Sequence, residues 1–190
     1  MKRAASALVV ALLLGACVFS SQTAFFAEDE ALAPFADGAR YIWIENGSEE
    51  TRQIVSYRRA GGAYEIGWEG EDDRLRALFI GVPETAEEDY IVQVRIDEEE
   101  NATAYAFMWR TEAGYRAITS PRVFEPGSDG EAVADRLCER VGMGECRFAS
   151  AEAVREFYHT AVYPAFVLGG QTPANYIDQL TPPPVRQPNK

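Results

Sequence analysis

The sequence predicts an α+β domain: an antiparallel β-meander of about seven strands, forming a curled sheet or a small barrel, with two C-terminal helices packed on it. Three observations carry this reading. Between residues 39 and 120 the apolar side chains recur mostly with period two, as on one face of a strand. Gaps of hairpin length, several marked by glycine, separate the alternating runs. After Pro126-Gly127 the apolar spacing changes to that of amphipathic helices.

The elements follow in order. Tyr41-Ile42-Trp43-Ile44 is a short strand apolar on both faces, closed by the turn signal Asn46-Gly47. Ile54-Val55-Ser56-Tyr57 precedes Gly61-Gly62. In the next strand Tyr64, Ile66 and Trp68 share one face, and Glu65 and Glu69 occupy the wet one. Leu75, Ala77 and Phe79 continue the alternation. Tyr90, Val92, Val94 and Ile96 alternate with Ile91, Gln93, Arg95 and Asp97, the clearest strand of the chain. Tyr105, Phe107 and Trp109 stand opposite Ala104, Ala106 and Met108, and a strand from Tyr115 to Thr119 ends the series.

Ser128-Asp129-Gly130-Glu131 has the spacing of a capping box. A stripe of Val133, Leu137, Cys138 and Val141 then predicts a helix stopped by Gly142. Ser150 caps a second helix, whose Val154, Phe157, Tyr158 and Ala161 fall at i, i+3, i+4 and i+7. The folded domain is expected over residues 37–163. Residues 164–190, rich in proline, read as an extended tail, and residues 17–36 as a tether. Within that tether Phe25-Phe26 is too apolar for solvent, so it is expected to dock on the domain or to touch a bilayer.

The amino terminus has the three parts of a secretory signal. Met1-Lys2-Arg3 is charged, Ala4 to Leu14 is apolar apart from Ser6, and Gly15 and Ala16 are small. The apolar run is too short for a bilayer, which needs about 20 such residues. Leu14-Gly15-Ala16-Cys17 resembles the lipobox of bacterial lipoproteins. The resemblance implies a signal peptide over residues 1–16, cleavage before Cys17, a diacylglyceryl group on its thiol and acylation of the new amino terminus. It also implies a membrane anchor without a membrane span. Val18, where an aspartate would favour the inner membrane, points to the outer membrane with the domain in the periplasm. With Cys17 assigned to lipid, Cys138 and Cys146 remain as an even pair in an oxidising compartment. Seven residues separate them, and they are expected to form a disulfide.

The formal charge of −12 grows by two when Lys2 and Arg3 leave with the signal. So acidic a surface argues against nucleic acid as a partner. The acidic clusters Glu71-Asp72-Asp73 and Glu98-Glu99-Glu100 lack the ligand alternation of an EF-hand and read as solvated turns. No phosphate-cradling loop or zinc motif occurs, so no metal or cofactor is expected. The single histidine, His159, has no activated serine near it in sequence, and no catalytic residue is assigned. Gln93, Arg95, Arg58, Arg59 and Arg110 are candidates for carboxylate or phosphate recognition.

The aromatic residues support a binding hypothesis. Trp43, Trp68, Tyr90 and Trp109 would line a cavity for a small apolar ligand if the meander closes, as in lipocalin-like barrels. The same rings would fill an ordinary core if it does not. The function expected is therefore a non-catalytic binding or envelope-maintenance role for a lipid-anchored protein, with an envelope protein or a small apolar ligand as partner. The alternatives are a lipocalin-like carrier and a periplasmic glycan hydrolase.

Overall fold

The computed structural model describes residues 18–45, 49–85, 88–95, 103–141, 145–169 and 178–183. Cys17 and the signal segment lie outside these residues, as do the Asn46-Gly47 turn, Ile96 to Glu100, Gly142, Gly144, Gly170 and Pro173. The chain begins with two short strands, β1 (Phe19–Ser21) and β2 (Ala31–Leu32). The seven expected strands follow as β3 (Ala39–Ile44), β4 (Gln53–Ala60), β5 (Ala63–Trp68), β6 (Arg74–Gly81), β7 (Tyr90–Arg95), β8 (Thr103–Thr111) and β9 (Gly114–Ile118). Each pairs antiparallel with the next.

An eighth strand closes them into a barrel. β12 (Asp178–Thr181) lies antiparallel between β3 and β9, with Leu180 opposite both Trp43 and Tyr115. The strand comes from the segment expected as an extended tail, and Leu180 is almost wholly buried there. Gly114 makes the approach feasible. Its φ is 145°, and a Cβ at this position would fall 2.1 Å from the Leu180 carbonyl oxygen.

Two apolar clusters result from the alternation. One fills the barrel, with Phe35, Tyr57, Tyr64, Phe79, Tyr90 and Tyr115 among its members. The other lies outside the wall formed by β6 to β9, where Leu78, Ile80, Ile91, Phe107, Trp109 and Ile118 meet the helices. This is why β7 is buried on both faces while β4 and β5 present Ser56, Arg58 and Glu65 outward.

The outer layer corrects the helical reading in part. Helix α1 (Asp129–Leu137) starts where expected, with the Ser128 hydroxyl accepting from the Glu131 N–H at 3.2 Å. It ends at Leu137, and Cys138–Val141 form β10 instead of a last helical turn. β10 pairs with β11 (Glu145–Phe148), which runs parallel to β1. The disulfide Cys138–Cys146, with Cα atoms 5.3 Å apart, links these two strands. Val141 therefore follows the period of a strand, and the short covalent loop favours a hairpin over a continued helix.

Helix α2 (Ala151–Phe157) is capped by Ser150, as expected, and buries Val154, Phe157, Tyr158 and Ala161. It continues through Tyr158–Leu168 as a π-helix, past the predicted domain end at 163. The Gly169 N–H bonds the Pro164 carbonyl five residues back.

Residues 18–36 do not form a tether. Phe19 is fully buried in β1, between β11 and β8. Gln93 holds the next segment: its Oε1 accepts from the Phe25 and Phe26 N–H groups, and its Nε2 donates to the Phe26 carbonyl at 3.0 Å. Arg76 pairs with Glu28, and Arg155 both pairs with Glu30 and lies over the Phe26 ring. Phe25-Phe26 dock on the domain, one of the two expected alternatives.

Candidate functional site: the barrel cavity

The barrel interior differs between its two ends. At the end where β3 and β5 begin, Phe35 enters from the N-terminal segment and packs among aromatic rings. Its centroid lies 4.2 Å from Tyr57, 5.1 Å from Tyr41, 5.3 Å from Phe79 and 5.4 Å from Tyr115. The Phe35 N–H donates to the Tyr64 hydroxyl, which donates in turn to the Phe35 carbonyl. Burial pushes the phenols of Tyr57, Tyr64 and Tyr115 above their ordinary range and Tyr90 up to about 12. These rings are neutral at physiological pH and close that end.

At the other end the same strand faces carry small residues. Val94, Ala104, Ala106 and Ala117 point inward, and the space they leave is a cavity of about 240 Å³. Tyr57, Ile66, Phe79, Val92, Met108 and Leu180 form its floor and inner wall. Trp43 and Trp68 stand at the mouth, with Thr51, Gln53, Glu45 and Glu71 around the rim. Among the described residues the lining is uncharged apart from those two carboxylates. Among the described residues the cavity is open at the end of Trp43 and Trp68 and closed by the rings at the other.

The wall also has a seam. β8 pairs with β9 over Phe107–Thr111 but with β1 over Thr103–Tyr105. Near the open end β8 and β9 therefore separate. Val18, immediately before β1, reaches the cavity at this place beside Ala104, Ala106 and Thr119. The Val18 carbonyl is fixed by the Cys146 N–H at 2.9 Å.

No protein family, curated protein or solved structure matches this chain. The cavity has to be read from its own chemistry.

Of the four residues expected to line a cavity, Trp43 and Trp68 do so. Tyr90 is inside the barrel but belongs to the aromatic plug, next to Phe79 and Tyr115. Trp109 points outward, almost fully buried against the helical layer, with its ring 6.1 Å from Phe166. The outward turn of Tyr105, Phe107 and Trp109 is what puts Ala104, Ala106 and Met108 inside. Sequence reasoning had both faces of this strand but gave the interior to the larger one. The signal available was the size contrast itself, since a helical layer needs large partners on the outer face.

The other candidates have structural places. Gln93 anchors the N-terminal segment, and Arg110 lies 4.8 Å from the Tyr115 ring centroid, over its face. Arg58 and Arg95 are exposed and fall in one cross-strand row on the outer face with Glu65 and Arg76, where Arg76 pairs with Glu28; Arg59 is exposed outside that row, its backbone N–H donating to Asp37. His159 is half-buried beside Tyr158 on the π-helical stretch. Among the described residues no group of three or more His, Cys, Asp or Glu could hold a metal ion. A glycan hydrolase would need two carboxylates converging in a cleft; the pair lining this one, Glu45 and Glu71, is at the solvent-open rim. No helix among the described residues is long and apolar enough to cross a membrane.

Proposed function

We propose that this protein is a non-catalytic binding protein that holds a small apolar ligand in its barrel and is anchored to a membrane by lipid on Cys17. The observation that carries the binding role is the cavity, apolar along its walls, open at one end and closed at the other by rings. An eight-stranded barrel is the size that holds one small ligand, as in lipocalin-like carriers. At about 240 Å³ the space is below the roughly 300–1,000 Å³ of drug-sized sites, which favours a slender ligand. Apolar contact supplies the affinity, at roughly 25 cal/mol per Å² removed from water.

The anchor rests on the lipobox resemblance, and the outer membrane facing the periplasm is the location it favours. A disulfide-bonded domain suits that oxidising compartment.

Binding is tested by titrating a Cys17→Ser protein, exported by an ordinary cleavable signal, with N-phenyl-1-naphthylamine, a neutral apolar fluorophore. A saturable one-site rise is expected, and Ala106→Phe should abolish it by filling the cavity. Equal binding by the Ala106→Phe variant would overturn the assignment. For the anchor, cells are labelled with radioactive fatty acid. Label should follow the native protein and be lost with Cys17→Ala; label retained by the variant would refute the attachment.

A further inference from the structure

We infer that the ligand in the barrel is one acyl chain of the protein's own lipid, the one borne on Cys17. The inference rests on the proposed binding role and on the proposed anchor, and three observations join them.

The first is position. Val18 lines the cavity at the seam between β8 and β9, and Cys17 directly precedes it in the chain. A trans peptide places consecutive Cα atoms about 3.8 Å apart, so the lipid is attached within a few ångströms of a cavity-lining residue. No flexible spacer intervenes. The Val18 carbonyl is bonded to Cys146, and Phe19 is fully buried. Covalent attachment at such a distance gives an effective concentration in the millimolar range or above, so a free lipid competes poorly.

The second is shape. The cavity holds about 240 Å³ and ends at Phe79 and Tyr57, so its volume takes part of a single chain and not a diacyl pair. A lipoprotein of this class carries three chains on its cysteine. With one in the barrel, two remain for the bilayer, and two are enough for stable anchoring.

The third is charge. Among the described residues Glu45 and Glu71 are the only charged ones lining the cavity, and both are acidic. A free fatty acid would bring a carboxylate towards them. A chain linked through an ester or amide brings none.

The consequence lies in transfer through water. A chain moving from bilayer or micelle to barrel exchanges one apolar surrounding for another, so the move costs no exposure to water, and the short attachment favours the barrel. Away from the membrane the same chain would be exposed to water, and burying its methylenes is favourable. The barrel therefore shields one chain whenever the protein is off the bilayer.

The test compares native lipidated protein with the Cys17→Ser protein in the same detergent, each labelled at its alanine methyl groups for NMR. In the Cys17→Ser protein, 1-decanol should shift the methyls of Ala104, Ala106 and Ala117. In the lipidated protein the same methyls should already stand at the shifted positions and respond little to decanol. Lipidated protein, its acyl chains verified by mass spectrometry, that shows the empty positions and responds like Cys17→Ser would overturn the inference while leaving the binding role intact. If the Cys17→Ser methyls ignore decanol, the binding role fails and the inference with it. If mass spectrometry finds no lipid on Cys17, the source is wrong.

Discussion

The two ends of the barrel are built from the same strands with the same alternation, yet one is a packed core and the other a cavity. On β4 to β6 the residues toward the closed end are Tyr57, Tyr64 and Phe79, with Tyr115 from β9 and Phe35 from outside the barrel. Toward the open end β7 to β9 contribute Val94, Ala104, Ala106 and Ala117. Periodicity decides which residues face inward. Side-chain volume then decides whether the interior is full, because protein interiors close-pack and an eight-stranded barrel is only just wide enough to need filling.

The contrast can be attacked from either end. Removing the plug should have the largest effect. Phe35→Ala leaves a hole among five rings and should cost about 3–5 kcal/mol in urea unfolding. A loss well under 1 kcal/mol would mean that the closed end does not depend on this residue.

The disulfide comes next. Replacing Cys138 and Cys146 together with serine releases a short loop and should cost roughly 2–3 kcal/mol. It should leave binding of the naphthylamine probe unchanged, because serine at position 146 keeps the backbone N–H that holds Val18 and no residue of β10 or β11 lines the cavity. A weakened probe signal at full folding would show that the ribbon shapes the cavity.

The sharpest comparison uses one substitution in two places. Ala77 is completely buried within the filled part of the barrel, so Ala77→Phe overpacks it and should cost about 1–3 kcal/mol. Ala106→Phe enters open space and should change stability by less, while abolishing the probe signal. Equal costs would erase the distinction between the ends.

The smallest effect concerns pH. Burial raises Tyr90 and Tyr105 to about 12, above the ordinary value near 10. The folded state thus keeps these protons when the unfolded chain loses them. Their contribution is complete below pH 10 and declines as pH rises from there through about 12. Urea midpoints should be flat from pH 7 to 9 and fall above 10. A rise in that interval would contradict the burial of these phenols.

Much of the architecture was legible in the sequence. Seven of the eight barrel strands follow from period two, and both helix starts follow from Ser128 and Ser150. The remainder depended on contacts that local pattern does not carry. β12 offers a single apolar anchor, Leu180, within a proline-rich stretch, and only pairing with two strands at once makes it part of the sheet. β1 has three residues, and its burial depends on β8 and β11, far along the chain. Cys138 and Val141 continue a helical stripe by spacing, but the disulfide turns them into a hairpin. For the site, Trp43 and Trp68 were accessible to sequence reasoning. The cavity was not, because it is made by the alanines opposite Tyr105, Phe107 and Trp109.

Xenon tests the account most directly, since it enters dry apolar cavities and marks them in electron density. Crystals of the Cys17→Ser protein under xenon pressure should show a site among Ala104, Ala106 and Ala117, and none between Phe35 and Tyr115. Xenon absent from the barrel, or bound only among the rings of the closed end, would contradict the claim that side-chain size has made one end a plug and the other a binding cavity.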